Sequence, residues 1–143
     1  MRKVIAMTML LAMAGTAIAA DPGCKTNFEQ QGKFMTGRIF TTWDVVPGVT
    51  VSAAFKRIYT EGTKSGLRVA SSDEKVGVIA FEQPNGGVDL GGAKANLPWN
   101  VVIEQQGKDV KISVTKTTPA SFPTGTEYQM TSMCSVIDAA RKK

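Results

Sequence analysis

The chain has 143 residues, 43% of them hydrophobic and 20% charged, with 17 Lys and Arg against 12 Asp and Glu. It carries a formal charge of +5, two cysteines and no histidine. That length fits one domain and that apolar fraction excludes a disordered chain, while the missing histidine excludes a Ser-His-Asp triad, a Cys-His nucleophile, an imidazole metal site and a histidine pH switch.

Residues 1–20 (MRKVIAMTMLLAMAGTAIAA) have the layout of a signal peptide. Arg2 and Lys3 make a basic start, Val4 to Ala14 is a short apolar run, and Ala17-Ile18-Ala19 puts small residues at the −3 and −1 positions of a cleavage site. The run is shorter than the roughly 20 apolar residues that a membrane span requires. Cleavage is expected after Ala19 or Ala20. It leaves one small α+β domain over residues 21–143, periplasmic or secreted, with no transmembrane segment. Losing Arg2 and Lys3 lowers the charge to +3, and the only basic run left is Arg141-Lys142-Lys143. A charge this small and this dispersed does not predict nucleic acid as a partner.

Residues 21–33 are polar and read as an N-terminal lead-in. Residues 34–46 (FMTGRIFTTWDVV) are rich in β-branched and aromatic types and predict a strand, ended by Pro47-Gly48. From Val51 the period changes. Val51, Ala54, Phe55, Ile58 and Tyr59 form one stripe of an amphipathic helix, with Thr50 or Ser52 as cap and Gly62 or Gly66 as stop. Leu67 to Ser71 predicts a short strand, and Ser72 to Lys75 a turn. Val76 to Gln83 is nearly continuous in apolar residues and predicts a strand buried on both faces.

Residues 84–96 form a glycine-rich loop. Trp99 to Gln105 and Val110 to Lys116 predict a hairpin. In its second arm Val110, Ile112 and Val114 face one way and Lys111, Ser113 and Thr115 the other, toward solvent. Residues 117–125 are a loop. Thr126 and Gln129 match a capping box ahead of Met130, Met133, Cys134 and Ile137 at helical spacing. The expected fold is α+β: an antiparallel sheet of about 4–5 strands with two helices packed on it, in the order β-α-β-β-β-β-α.

Cys24 and Cys134 are expected to form a disulfide, the one intramolecular pairing available in an exported chain. A redox dithiol would need them close in sequence. A lipid-modified Cys24 would need an apolar residue where Asp21 stands and a small one where Pro22 stands.

The glycines at 86, 87, 91 and 92 lack the Gly-Lys-Ser/Thr of a phosphate-binding loop, so no nucleotide, cofactor or metal is expected. Asp89 and Lys94 in that loop are candidates for touching a partner. Trp43 and Trp99 read as core or core-rim residues, or as an aromatic binding surface beside a groove between helix and sheet. Acid–base chemistry is left to carboxylates alone: Asp44, Glu61, Asp73, Glu74, Glu82, Asp89 and Glu104. No spacing gathers them, and no catalytic residue is expected.

The expected function is therefore an exported, non-catalytic binding domain of the envelope or extracellular space, with an envelope or host protein as a possible partner. Alternatives are a small hydrolase using a carboxylate pair, and an inhibitor of a foreign enzyme acting through a loop such as 85–95 or 117–125.

Overall fold

The computed structural model of the chain describes residues 23–84, 86–88 and 90–141. The leader segment and Asp89 lie outside them. A one-turn helix α1 (Gly23–Thr26) precedes β1 (Glu29–Lys33), β2 (Gly37–Val46), α2 (Val51–Lys64), β3 (Arg68–Asp73), β4 (Val78–Gln83), β5 (Leu97–Gln106), β6 (Asp109–Thr118) and α3 (Thr126–Asp138). The strands form one six-stranded antiparallel sheet in the order β1-β2-β6-β5-β4-β3. The α+β class is as expected, and from β2 onward so is the order. The described residues contain one strand and one helix more than the upper expected counts, and both fall in the supposed lead-in.

β1 carries the sequence EQQGK and is exposed at every position. It buries no face, so hydrophobic alternation cannot announce it. Backbone pairing holds it, from Glu29 opposite Thr41 to Lys33 opposite Gly37. The predicted strand at 34–46 consequently begins three residues late, because residues 34–36 turn the hairpin. β4 is also shorter than its apolar run. Ile79 and Phe81 are fully buried while Val78 and Ala80 are half-buried. The strand is covered on one side by the helices and is not a doubly buried one.

α2 starts where Thr50 accepts a hydrogen bond from the Ala53 N–H at 3.2 Å. It stops at Ser65, and Gly66 follows at φ +87°, a left-handed conformation that costs glycine little. Gly62 has a different use. It lies inside the helix where α2 meets the sheet, and a Cβ there would stand 2.6 Å from the Phe81 ring. Gly62→Ala is expected to cost about 1–3 kcal/mol through overpacking, despite alanine's better helix propensity. Urea unfolding checks it; an unchanged midpoint would show that Phe81 yields freely.

α3 begins at Gly125 with no side-chain cap. The predicted capping box does not form, because tertiary partners claim both of its residues. The Thr126 hydroxyl bonds Gln30 Oε1 at 2.8 Å, and Gln129 Nε2 donates to Thr124 Oγ1 at 2.6 Å. Both long helices lie on one face of the sheet. Between them and the strands sit Phe40, Ile58, Ile79, Phe81, Val101, Ile112, Val114, Met133 and Ile137, all buried. The Cys24–Cys134 disulfide joins α1 to α3, with Cα atoms 5.7 Å apart, and the Thr42 hydroxyl donates to the Cys24 carbonyl. Arg141 closes the same corner by pairing with Asp44 and Asp138.

Candidate functional site

Strand geometry builds the site. In β6 the inward residues are Val110, Ile112, Val114, Lys116 and Thr118, all buried. The alternation that packs three aliphatic side chains against the helices therefore carries a lysine inward at the same strand's far end. Opposite Lys116 on β5 is Trp99, which points inward with Leu97, Val101 and Ile103.

At that end of the sheet α2, α3 and the strands leave two cavities. One, of about 200 Å³, lies between Glu61, Gly62 and Ser65 of α2, Leu67, Gln83, Trp99, and Tyr128, Ser132, Ser135 and Val136 of α3. The other, of about 390 Å³, is lined by Lys116, Gln83, Leu97, the 122–125 loop, Tyr128 and Gln129. Gln83 and Tyr128 belong to both, so the two cavities adjoin.

Lys116 lines the larger cavity, beside the shared Gln83. It is 1% exposed. Its Nζ donates to Gln83 Oε1 at 3.1 Å and sits 4.3 Å from the centroid of the Trp99 ring. None of the ion pairs among the described residues includes it. Burial penalises the charged form and lowers its pKa from 10.5 to about 8. A second buried cation, Arg38, is treated differently. Its guanidinium donates to the carbonyls of Phe122 at 2.9 Å and Thr124 at 3.1 Å and so holds the 122–125 wall in place. Two backbone carbonyls thus hold Arg38, whereas Lys116 has only the Gln83 amide oxygen as acceptor among the described residues.

Among the described residues three buried side-chain polar atoms have no hydrogen-bond partner: Trp99 Nε1, Gln129 Oε1 and Thr118 Oγ1. Leaving such a group unsatisfied costs about 1–3 kcal/mol. Trp99 and Gln129 each line one of the two cavities. The larger cavity thus has the Lys116 amine as a donor and Gln129 Oε1 as an unpaired acceptor on its walls, and Trp99 lines the smaller one. This inventory suits a ligand that presents an oxygen acceptor on an apolar body.

The residues singled out from sequence are distributed unevenly. Trp99 is in the site. Trp43 is on the opposite face of the sheet, 40% exposed, with Lys111 Nζ at 4.6 Å from its ring centroid. The two tryptophans therefore do not share a surface. Lys94 is exposed on the glycine-rich loop, where it forms a bridge with Val88. Among its described residues that loop meets the site at its base, where Gly86 lines the larger cavity and Ala95 packs with Leu97 and Phe122.

The carboxylates lie mainly elsewhere. Asp44 pairs with Arg141 and Glu82 with Arg68, and Asp73 accepts from the Lys75 and Val76 N–H groups at 2.9 and 3.1 Å. Asp73, Glu74 and Glu104 line one concavity at the other end of the sheet, and the Ser52 hydroxyl donates to Glu74 there. Glu61 alone borders the smaller cavity. No group of acidic or cysteine residues able to hold a metal occurs among the described residues. No helix among them is long and apolar enough to cross a membrane.

No protein-family model matches the chain, and no curated protein matches its sequence. Its fold has relatives. The chain is similar in structure to Ara h 8.0201, with a TM-score of 0.50, 15% identity, and coverage of 73% of this chain and 94% of that one. It is also similar to a conserved protein of unknown function from Enterococcus faecalis, with a TM-score of 0.50, 8% identity, and coverage of 82% and 78%. At such identities the likeness concerns the fold alone.

Sequence reasoning named Trp99 and Glu61 among the residues lining these cavities and missed Lys116, Gln83, Tyr128 and Gln129. For Lys116 a clue was present: it continues the even-numbered series Val110, Ile112 and Val114. For Gln83 there was none, because its partner Lys116 is remote in the chain, and Gln129 was claimed by the capping-box pattern.

Proposed function

We propose that this chain is an exported, non-catalytic binding domain whose ligand is a small, largely apolar or aromatic molecule bearing an oxygen acceptor. The observation that carries this reading is Lys116, a buried amine with a neutral amide as its protein partner, facing the larger cavity, while that amide, Gln83, lines both. Burying an amine this way is unfavourable, and a ligand oxygen compensates it. Leu67, Leu97, Trp99, Phe122 and Val136 give the cavities apolar walls, as small-molecule sites generally have. Export is supported by the leader-like residues 1–20 and by the disulfide, which suits an oxidising compartment. The destination is the periplasm or the exterior of the cell.

The test uses Trp43→Phe, which leaves Trp99 as the only indole. Titration with small aromatic and aliphatic acids, aldehydes and alcohols is expected to change Trp99 emission saturably for at least one series. Lys116→Met in that background is expected to weaken the binding roughly tenfold or more, the value of a hydrogen bond to a charged group. An emission spectrum indifferent to every series would reject the reading.

A further inference from the structure

Lys116 has the surroundings of a reactive amine. Lysines that serve structure keep the ammonium in water or against a carboxylate, and Lys116 does neither. Gln83 Oε1 takes one of its hydrogens at 3.1 Å, and the Trp99 ring lies beneath at 4.3 Å. The larger cavity opens on the same side chain.

We propose that Lys116 captures an aldehyde or ketone as an imine, which makes the ligand of this site a carbonyl compound. The proposal rests on the binding reading above and names its ligand class. In the step, the neutral Nζ attacks the carbonyl carbon. A proton passes from nitrogen to oxygen through water and gives a carbinolamine. Its C–O bond then breaks, the oxygen leaves as water with a proton taken from solvent, and a protonated imine remains. No oxidant or reductant is involved.

The neighbouring groups suit each stage. Gln83 Oε1 accepts from the amine and so fixes the direction of its lone pair. The unpaired Gln129 Oε1 belongs to a residue lining the same cavity as Lys116 and is an acceptor for the carbinolamine hydroxyl. Burial supports the chemistry as well. With a pKa of about 8, roughly a tenth of the amine is neutral at pH 7, against about one part in a few thousand for an ordinary lysine.

The experiment incubates the full chain with benzaldehyde or hexanal at pH 7 in the presence of cyanoborohydride, followed by intact mass and peptide mapping. The expected result is one adduct on Lys116, formed at least about tenfold faster than on any exposed lysine. Excess benzoate is expected to slow it. Lys116→Arg, with its fold verified by circular dichroism, is expected to lose the selective adduct. Adducts scattered over Lys25, Lys64 and Lys108 with Lys116 unmodified would overturn the proposal. Benzoate binding seen by Trp99 emission without any Lys116 adduct would overturn it too, and leave the binding reading standing. If benzoate, benzaldehyde, hexanal and benzyl alcohol all leave Trp99 unaffected and no selective adduct forms, both readings fall together.

Discussion

Replacing both Cys24 and Cys134 by serine is expected to lower the unfolding free energy by roughly 3–5 kcal/mol. The bridge spans 110 positions, and the chain-entropy model assigns about 4.7 kcal/mol to a loop near that length. Against a typical total of about 5–15 kcal/mol, such a loss brings the domain close to its threshold. The structural consequences are local as well as global. α1 has four residues and is too short to persist unaided. It is held by the bridge, by the Thr42 bond to the Cys24 carbonyl and by the Asn27 side chain, which donates to the Trp43 carbonyl at 3.0 Å. Without the bridge α3 keeps Met133 and Ile137 in the core but loses its covalent anchor. Urea denaturation of the double variant against the oxidised parent measures the effect. A loss below about 1 kcal/mol would mean that noncovalent packing already restrains both ends.

Lys116→Met is expected to act in the opposite direction on stability. Methionine has a similar length, fills the space over Trp99, and carries no charge to desolvate. In the unfolded chain Lys116 holds its proton up to about pH 10.5, whereas in the folded protein burial lowers its pKa to about 8. Between those values the unfolded state binds more protons, so the Lys116 contribution makes the parent more stable as pH rises through this window. Below about pH 8 the full penalty applies. At 1.36 kcal/mol per unit it is about 3 kcal/mol. The methionine variant escapes it. Its advantage is therefore expected to be about 3 kcal/mol at pH 7 and to fade toward zero near pH 10.5. Paired urea titrations of parent and variant at pH 7 and pH 10 check both the sign and the window. A variant less stable than the parent at pH 7 would show that the stack on Trp99 outweighs the desolvation. Stability gained at the expense of ligand retention is the usual mark of a functional buried polar group.

The elements with a buried face were the legible ones. α2 declared itself through Ala54, Phe55 and Ile58, and the β5–β6 hairpin through alternation around Gly107, whose φ of +60° suits its turn. β1 was not legible, because an edge strand with both faces wet has no periodic pattern to show. The capping box at Thr126 and Gln129 failed for a related reason: a local motif lost its side chains to partners from β1 and the 122–125 loop. The site was half legible. Trp99 and Lys116 follow from strand parity, since each continues an aliphatic series. Trp43 follows by the same parity to the outer face, because the buried residues of β2 near it are Phe40 and Thr42. Gln83 and Gln129 acquire meaning only once β4, β6 and α3 are brought together.

The sheet order has a consequence for how the protein is made. β2 pairs on one side with the short, wet β1 and on the other with β6, Arg38 opposite Thr118 and Val46 opposite Val110. A chain that emerges from its N-terminus thus exposes β2 long before its principal partner exists. The nucleus cannot close until the last strand has been delivered, and α3 with Cys134 comes later still. Contacts so distant in sequence slow the search for the native state. Until the C-terminal quarter arrives, Phe40 and its neighbours need protection from β-pairing with other chains. Under the export proposed above, a domain that locks only at its far end suits a route on which the polypeptide stays unfolded in transit.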